Sequence, residues 1–466
     1  MEIFLDDWTQ TLGTAPLLAI AAGAIALILV LIIWLKVHAF LALIIVSLVT
    51  AFVAGIPVSA IVSTLTGGFG GTLGTVALLV ALGAMLGRLI EHSGGARSLA
   101  EMFVRVFGEK RAPFALGITS LVLGFPMFFD AGLVMMLPII FAIARRVSRT
   151  NVLLFGLPAA AAFSVMHVFL PPHPGPVSAS ELYGANLGIV LLVGLIIAFP
   201  VWYVSGYLWG KFVAQRIQLP VPALFGEIDD DQPVNAPKPG TVIAVLLLPM
   251  LLIFLNTGLS TLASAGAVST DDTWVQVLIL LGNSAVALLI TVIVATIVFG
   301  FRRGEKGTAI EKVVDSSLGP VASVILITGA GGMFGAVLRA SGIGDALADS
   351  LSDLGLPIIF AAYIIAVVLR LAQGSATVAL VTAAGLAAPA VMAGDFSPLQ
   401  VAAITLATAA GSVFAGHVND SGFWLVGRLM GMDVKTTLKT WTVQQAIESV
   451  LGFLAALAVF GVGALI

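Results

Sequence analysis

The sequence predicts an all-α polytopic membrane protein made of two inverted-topology repeats, each with a re-entrant helical hairpin and a broken transmembrane helix. Three observations predict it. First, hydrophobic residues make up 59% of the 466 and charged residues only 10%, with a mean hydropathy of +1.13. A soluble globular domain is roughly 45–50% apolar and about 25% charged. Second, residues 83–101, GAMLGRLIEHSGGARSLAE, recur at 331–349 as GGMFGAVLRASGIGDALAD, an offset of 248 residues (331 minus 83) with seven identities: Gly83/Gly331, Met85/Met333, Gly87/Gly335, Ser93/Ser341, Gly94/Gly342, Leu99/Leu347 and Ala100/Ala348. Third, the loops after the two copies differ in charge. Arg97, Arg105, Lys110 and Arg111 follow the first, whereas Ala340 to Phe360 holds no Lys or Arg. Short cytoplasmic loops carry the excess of Lys and Arg, so the first copy is expected to end inside and the second outside. Inverted repeats of this kind are a common plan of secondary transporters, with a binding site at the midplane.

Element by element, apolar runs long enough to span about 30 Å of hydrocarbon are expected at 17–35, 37–55, 72–91, 152–170, 187–209, 241–262, 275–300, 321–339, 399–416 and 446–466. Met1–Gln10 has no Lys or Arg before the first run. It therefore lacks the basic n-region of a cleavable signal and is expected to enter an uncleaved first span from outside. Runs 113–129 and 131–144 are shorter. The basic loop 92–112 before them and Arg145, Arg146 and Arg149 after them put both ends inside, which makes a re-entrant hairpin with its tip at Phe125–Gly132, FPMFFDAG. Runs 356–371 and 376–393, flanked by loops without Lys or Arg, form the matching hairpin from outside, with its tip at Leu371–Thr377, LAQGSAT. An apolar span ending in Gly- or Pro-containing polar sequence follows each hairpin: Met166–Pro176, MHVFLPPHPGP, and Gly416–Gly422, GHVNDSG. Non-helical backbone at membrane depth is tolerated only where it is buried in protein or lines an aqueous cavity, so the four breaks are expected to converge on one site.

The domain reading follows. Residues 1–210 form the first repeat. Residues 211–240, with five prolines and four acids, form a cytoplasmic linker. Residues 241–466 form the second repeat. Arg302–Lys312 is expected to lie as a short amphipathic helix on the inner surface.

Within the breaks, Gln373, Gly374, Ser375 and Thr377 open a helix whose free N–H groups suit a carboxylate; the alternative is that Ser and Thr only satisfy carbonyls between packed helices. His417, Asn419, Asp420 and Ser421 occupy the second helix break, and Phe128, Phe129, Asp130 and Gly132 the first hairpin tip. Asp130 and Asp420 are the acids expected at membrane depth, where a carboxylate is a functional hypothesis by default; their alternative role is structural. Arg370 is a third buried charge, open to pairing with a substrate carboxylate or with an acid such as Asp420. His167 and His173 flank Leu170-Pro171-Pro172, and either can relay protons or simply pack. Asp420, Asp130 and His167 are therefore the candidates for proton coupling, with Asp420 favoured. Glu448, early in the last span, is expected to face the inner surface.

FPMFFDAG, HVFLPPHPGP, QGSATVAL and GHVNDSGFW together resemble the gluconate permease (GntP) family, and the resemblance spans nearly the whole chain. It implies a proton symporter for gluconate or a related sugar acid in the inner (cytoplasmic) membrane. It further implies an ion-transporter-superfamily fold working as an elevator, with scaffold helices 17–55 and 241–300 and transport parts 60–210 and 308–466, a homodimer, and substrate held by the hairpin tips and helix breaks. Family members also move other hydroxy acids and D-serine; a cation/proton exchanger is the other alternative. No cofactor, metal site or nucleic-acid partner is expected. Among five His residues there is no HExxH pair, and no GxSxG elbow occurs, so no catalytic residues are assigned.

Overall fold

The computed structural model describes residues 8–147, 151–222, 236–264, 267–344, 346, 357–417 and 420–465. All regular structure among these is helical. Eight helical stretches are long and apolar enough to cross a membrane.

The first half begins with α1 (Thr14–Leu29), α2 (Ala39–Val53) and α3 (Val58–His92). At 35 residues, α3 is about 52 Å long at 1.5 Å per residue, well beyond the expected 72–91. Its N-terminal half contains Gly67, Gly68, Gly70, Gly71 and Gly74, a composition that locally reads as unfavourable to a helix. Packing against α15 (Leu318–Ala340) reverses that reading. A Cβ on Gly68 would stand 2.7 Å from the carbonyl oxygen of Gly332 and 3.0 Å from Met333 Cα, so the two backbones touch. Small residues at such a crossing supply the dispersion contact that holds helices together in lipid, where burial from water gives no drive.

The amphipathic α4 (Gly95–Phe107) then leads to α5 (Ala112–Gly124) and α6 (Phe129–Val147), the first hairpin. α7 (Leu153–Phe169) ends at the Pro171-Pro172 cis peptide, and α8 (Pro174–Tyr183) resumes the path. The stretch Leu153–Tyr183 is 89% buried, the highest share of any span, so it is the protein's central post. α9 (Leu187–Trp202) continues through a π-helical turn, Tyr203–Leu208, into α10 (Trp209–Ala214). The expected linker thus begins inside a helix, and residues 223–235 of it lie outside the described residues.

In the second half, α11 (Pro239–Ser264) precedes α12 (Thr273–Leu281) and α13 (Ser284–Ala295). The expected single span 275–300 is broken because Asn283 caps α13 through its side chain to Ala285 N, at 3.1 Å. α14 (Gly307–Asp315) is the short amphipathic helix, and α15 follows. After residues 347–356, which lie outside the described set together with the end of the second repeat copy, come α16 (Ile358–Gln373) and α17 (Ala376–Ala393), the second hairpin. α18 (Pro398–Ser412) is separated from α19 (Ser421–Leu429) by the second break. α20 (Val434–Thr437), a π-helical turn Leu438–Thr442 and α21 (Val443–Gly463) make one continuous last span, starting about a dozen residues before the expected 446. Buried Trp441, Gln444, Gln445 and Glu448 lie on it.

Candidate functional site

Each hairpin tip is built by local chemistry. Gly374 closes α16 at φ +83°, a left-handed conformation that glycine adopts without a Cβ penalty. Ser375 then caps α17, its Oγ accepting from Val378 N at 3.4 Å. In the first hairpin α5 stops at Gly124 and α6 starts after Phe125–Phe128. The second helix break is held by the last span. Gly416 N donates to Gln445 Oε1 at 3.0 Å, and Gly416 O accepts from Thr442 Oγ1 at 2.6 Å, so Gly416 keeps both of its backbone hydrogen bonds outside a helix.

These four devices meet at one cavity of about 550 Å³. Its wall contains the first residues of four helices: Phe129–Ala131 of α6, Pro174 of α8, Ala376 and Thr377 of α17, and Ser421 and Gly422 of α19. Helix N-termini carry partial positive charge and unpaired N–H groups. Pro174 has no N–H, so α8 adds only the positive end of its dipole, and with the starts of α6, α17 and α19 it makes the space attractive to an anion.

Of the expected site residues, Phe128, Phe129, Asp130, His167, Ser375, Thr377, Asp420 and Ser421 line the cavity. Phe128 packs between His167 and His173, with ring centroids 6.0 and 5.9 Å away, and Phe129 lies against Trp441 at 5.6 Å. His167 Nε2 pairs with Thr377 Oγ1 at 3.2 Å, joining the first helix break to the second hairpin tip, while its Nδ1 is buried without a partner. Asp130 lies in the first turn of α6 at the cavity wall. Asp420 is buried and engaged, its Oδ2 accepting from Arg370 Nη2 at 2.6 Å and its Oδ1 from Gly422 N at 2.9 Å. Of the two pairings open to Arg370, the structure takes the one with Asp420; the guanidinium also donates to Gly374 O and, at 3.1 Å, to Gln445 Oε1.

Four expected residues are not among those lining the cavity. His173 is buried with Nε2 2.6 Å from Gly124 O, so it ties the break to the end of α5. Gly132 lies against the Phe163 ring, Gly374 is buried under Arg370, and His417 Nε2 is 3.2 Å from Leu371 O. Asn419 and the Gln373 side chain lie outside the described residues.

The sequence reading missed a second polar layer. Glu448 does not face a surface. It is fully buried, with Oε1 accepting from Ser164 Oγ at 3.0 Å and Oε2 from Gln444 Nε2 at 2.8 Å. Ser164 and Gln445 line the cavity. The signal was present: QQAIE puts three polar side chains within one turn of an apolar span, which is costly unless they find partners. At the other end, Arg88, Glu91 and Ser316 line the cavity where α3 ends and α15 begins. Arg88 pairs with Glu91 at 2.9 Å and with Ser316 Oγ at 3.1 Å. No cluster that could hold a metal ion occurs among the described residues.

A broken-helix core around an anion-attracting cavity is a transporter's architecture, and the chain's similarity to known proteins agrees, since the model of the GntP family of permeases matches residues 15–462. The chain belongs to the GntP permease family. It is 40% identical over 462 residues to the inner membrane permease YgbN of Escherichia coli K12, covering 97% of this chain and 100% of that one. It is 39% identical to a gluconate permease of Bacillus subtilis 168, covering 95% and 99%, and 38% identical to the Gnt-II system L-idonate transporter of Escherichia coli K12, covering 95% and 99%. Among solved structures, the YdaH transporter of Alcanivorax borkumensis matches with a TM-score of 0.59 at 17% identity, covering 91% of this chain and 98% of that one; it shares the fold. This GntP family member is a multi-pass inner-membrane permease.

Proposed function

We propose that this permease imports gluconate or a closely related sugar acid in symport with protons. The observation that carries the reading is the convergence of four helix N-termini on one cavity shared by both halves. A sugar acid offers one carboxylate, matched by those N–H groups, and a row of hydroxyls, matched by Ser375, Thr377, Ser421, Gln445 and His167. The gluconate and L-idonate transport named for its relatives supports the same chemistry.

The reading extends to the mechanism. The two halves are inverted repeats, and the hairpins with α7, α8, α18 and α19 form the part that moves as an elevator against a scaffold, in a homodimer. The cavity mouth at Arg88 and Ser316 adjoins the basic segments 97–111 and 302–312, which the charge rule assigns to the cytoplasm, so the conformation is inward-open. Uptake of labelled gluconate into proteoliposomes tests the proposal. An inward-directed proton gradient is expected to drive accumulation, a protonophore to abolish it, and L-idonate, but not uncharged glucose, to compete. Uptake no greater than in protein-free liposomes would refute it.

A further inference from the structure

Glu448 is a buried acid that the substrate site does not use, and its surroundings are unusual. Its two oxygens meet only neutral donors, Ser164 Oγ and Gln444 Nε2. The charge that acts on it is Arg370, already paired with Asp420. The other titratable groups nearby are His167, one turn beyond Ser164 on α7, and Tyr363 on α16, whose hydroxyl pairs with Ser449 at 3.0 Å. α9 and α18, which also pack against the last span, carry no charged residue.

We infer that Glu448 is the residue that takes up and releases the coupling proton, exchanging it with the cavity through Ser164. The inference rests on the proton-symport reading above. Three geometric facts support it. Ser164 belongs both to the cavity wall and to the Glu448 hydrogen bond. A hydroxyl donates and accepts at once, so it can give its proton to Oε1 and be refilled from cavity water, and the reverse. Gln444 tolerates both states: its amide nitrogen donates to the carboxylate, and a half-turn of the same amide presents Oε1, now buried without a partner, as acceptor for the protonated acid. The first-half helix α7 and the last span thereby meet across one proton-binding group.

The arrangement also explains the direction of coupling. A substrate carboxylate entering the cavity adds a negative charge on the far side of Ser164 from Glu448, and like charges disfavour each other's ionised form. Anion and proton therefore bind together and leave together, which is symport. Asp420, tied to Arg370, and Asp130, facing the open cavity, lack this sheltered connection.

Gluconate titration calorimetry in buffers of different ionisation enthalpy reads the proton directly. At a pH between the midpoints of proton binding in the empty and the gluconate-bound protein, found by scanning pH, the wild type is expected to take up close to one proton per gluconate bound, and E448Q to bind gluconate with that uptake lost and with an affinity independent of pH. E448Q taking up protons as the wild type does would overturn the inference. Should E448Q not fold, E448D serves: a shorter acid must shift the pH midpoint of gluconate affinity, and an unchanged midpoint overturns the assignment equally. Failure of the wild type to bind gluconate would instead refute the substrate reading, and binding without proton uptake the symport reading.

Discussion

Replacing Asp420 by Asn tests the centre of the site. Arg370 is 2% exposed and its ion pair with Asp420, at 2.6 Å, is nearly as buried. Removing one partner of such a pair leaves an uncompensated buried charge, at a cost of about 3–5 kcal/mol. Asn keeps the shape and one acceptor oxygen, so one hydrogen bond of about 1 kcal/mol survives, and the expected loss is at the lower end, about 3 kcal/mol. That is roughly a hundredfold in the folding equilibrium. Unfolding by denaturing detergent in mixed micelles measures it. R370Q should cost a similar amount, and the R370Q/D420N double variant less than the two singles together, by about 2 kcal/mol, because neither neutral partner is left facing a charge. A D420N loss below about 0.5 kcal/mol, the range of ordinary surface substitutions, or strict additivity would refute the reasoning. The same variant separates two roles in transport. If Asp420 carried the proton, D420N would abolish gradient-driven accumulation and keep exchange; as the anchor of Arg370, it should depress both together.

Other expectations follow from single contacts. S375A removes both the α17 cap and a cavity hydroxyl, and gluconate affinity should fall by about 1–3 kcal/mol with folding lowered by about 0.5–2 kcal/mol; unchanged binding would move the site elsewhere. G416A places a methyl against Gln445 Oε1, Arg370 Nη2 and Asp420 Oδ2, so transport should be lost and the thermal midpoint lowered, whereas G70A, where a Cβ meets open space, should leave both near wild type. The chain has no Cys, so single-Cys labelling is unambiguous: R97C should react from the cytoplasmic side and D271C from outside, and labelling of both from one side would sink the inverted arrangement.

The sequence by itself determined the membrane class, most of the apolar helices, both helical hairpins and both helix breaks, since these depend on local properties: long apolar runs, and glycine and proline at fixed places. It also named eight of the residues that line the cavity. Tertiary structure decided what those residues do. Whether Arg370 met a substrate or Asp420 depended on the approach of α16 to the second break, 50 residues away in sequence, which no local pattern records. Glu448 was misplaced because its neighbour Ser164 lies 284 residues away, and a carboxyl in an apolar span looks the same in sequence whether a distant hydroxyl meets it or a surface does. The glycine-rich start of α3 fell outside the expected span 72–91 for the same reason: glycine's weak helix propensity is local, and the close contact with α15 that outweighs it is not.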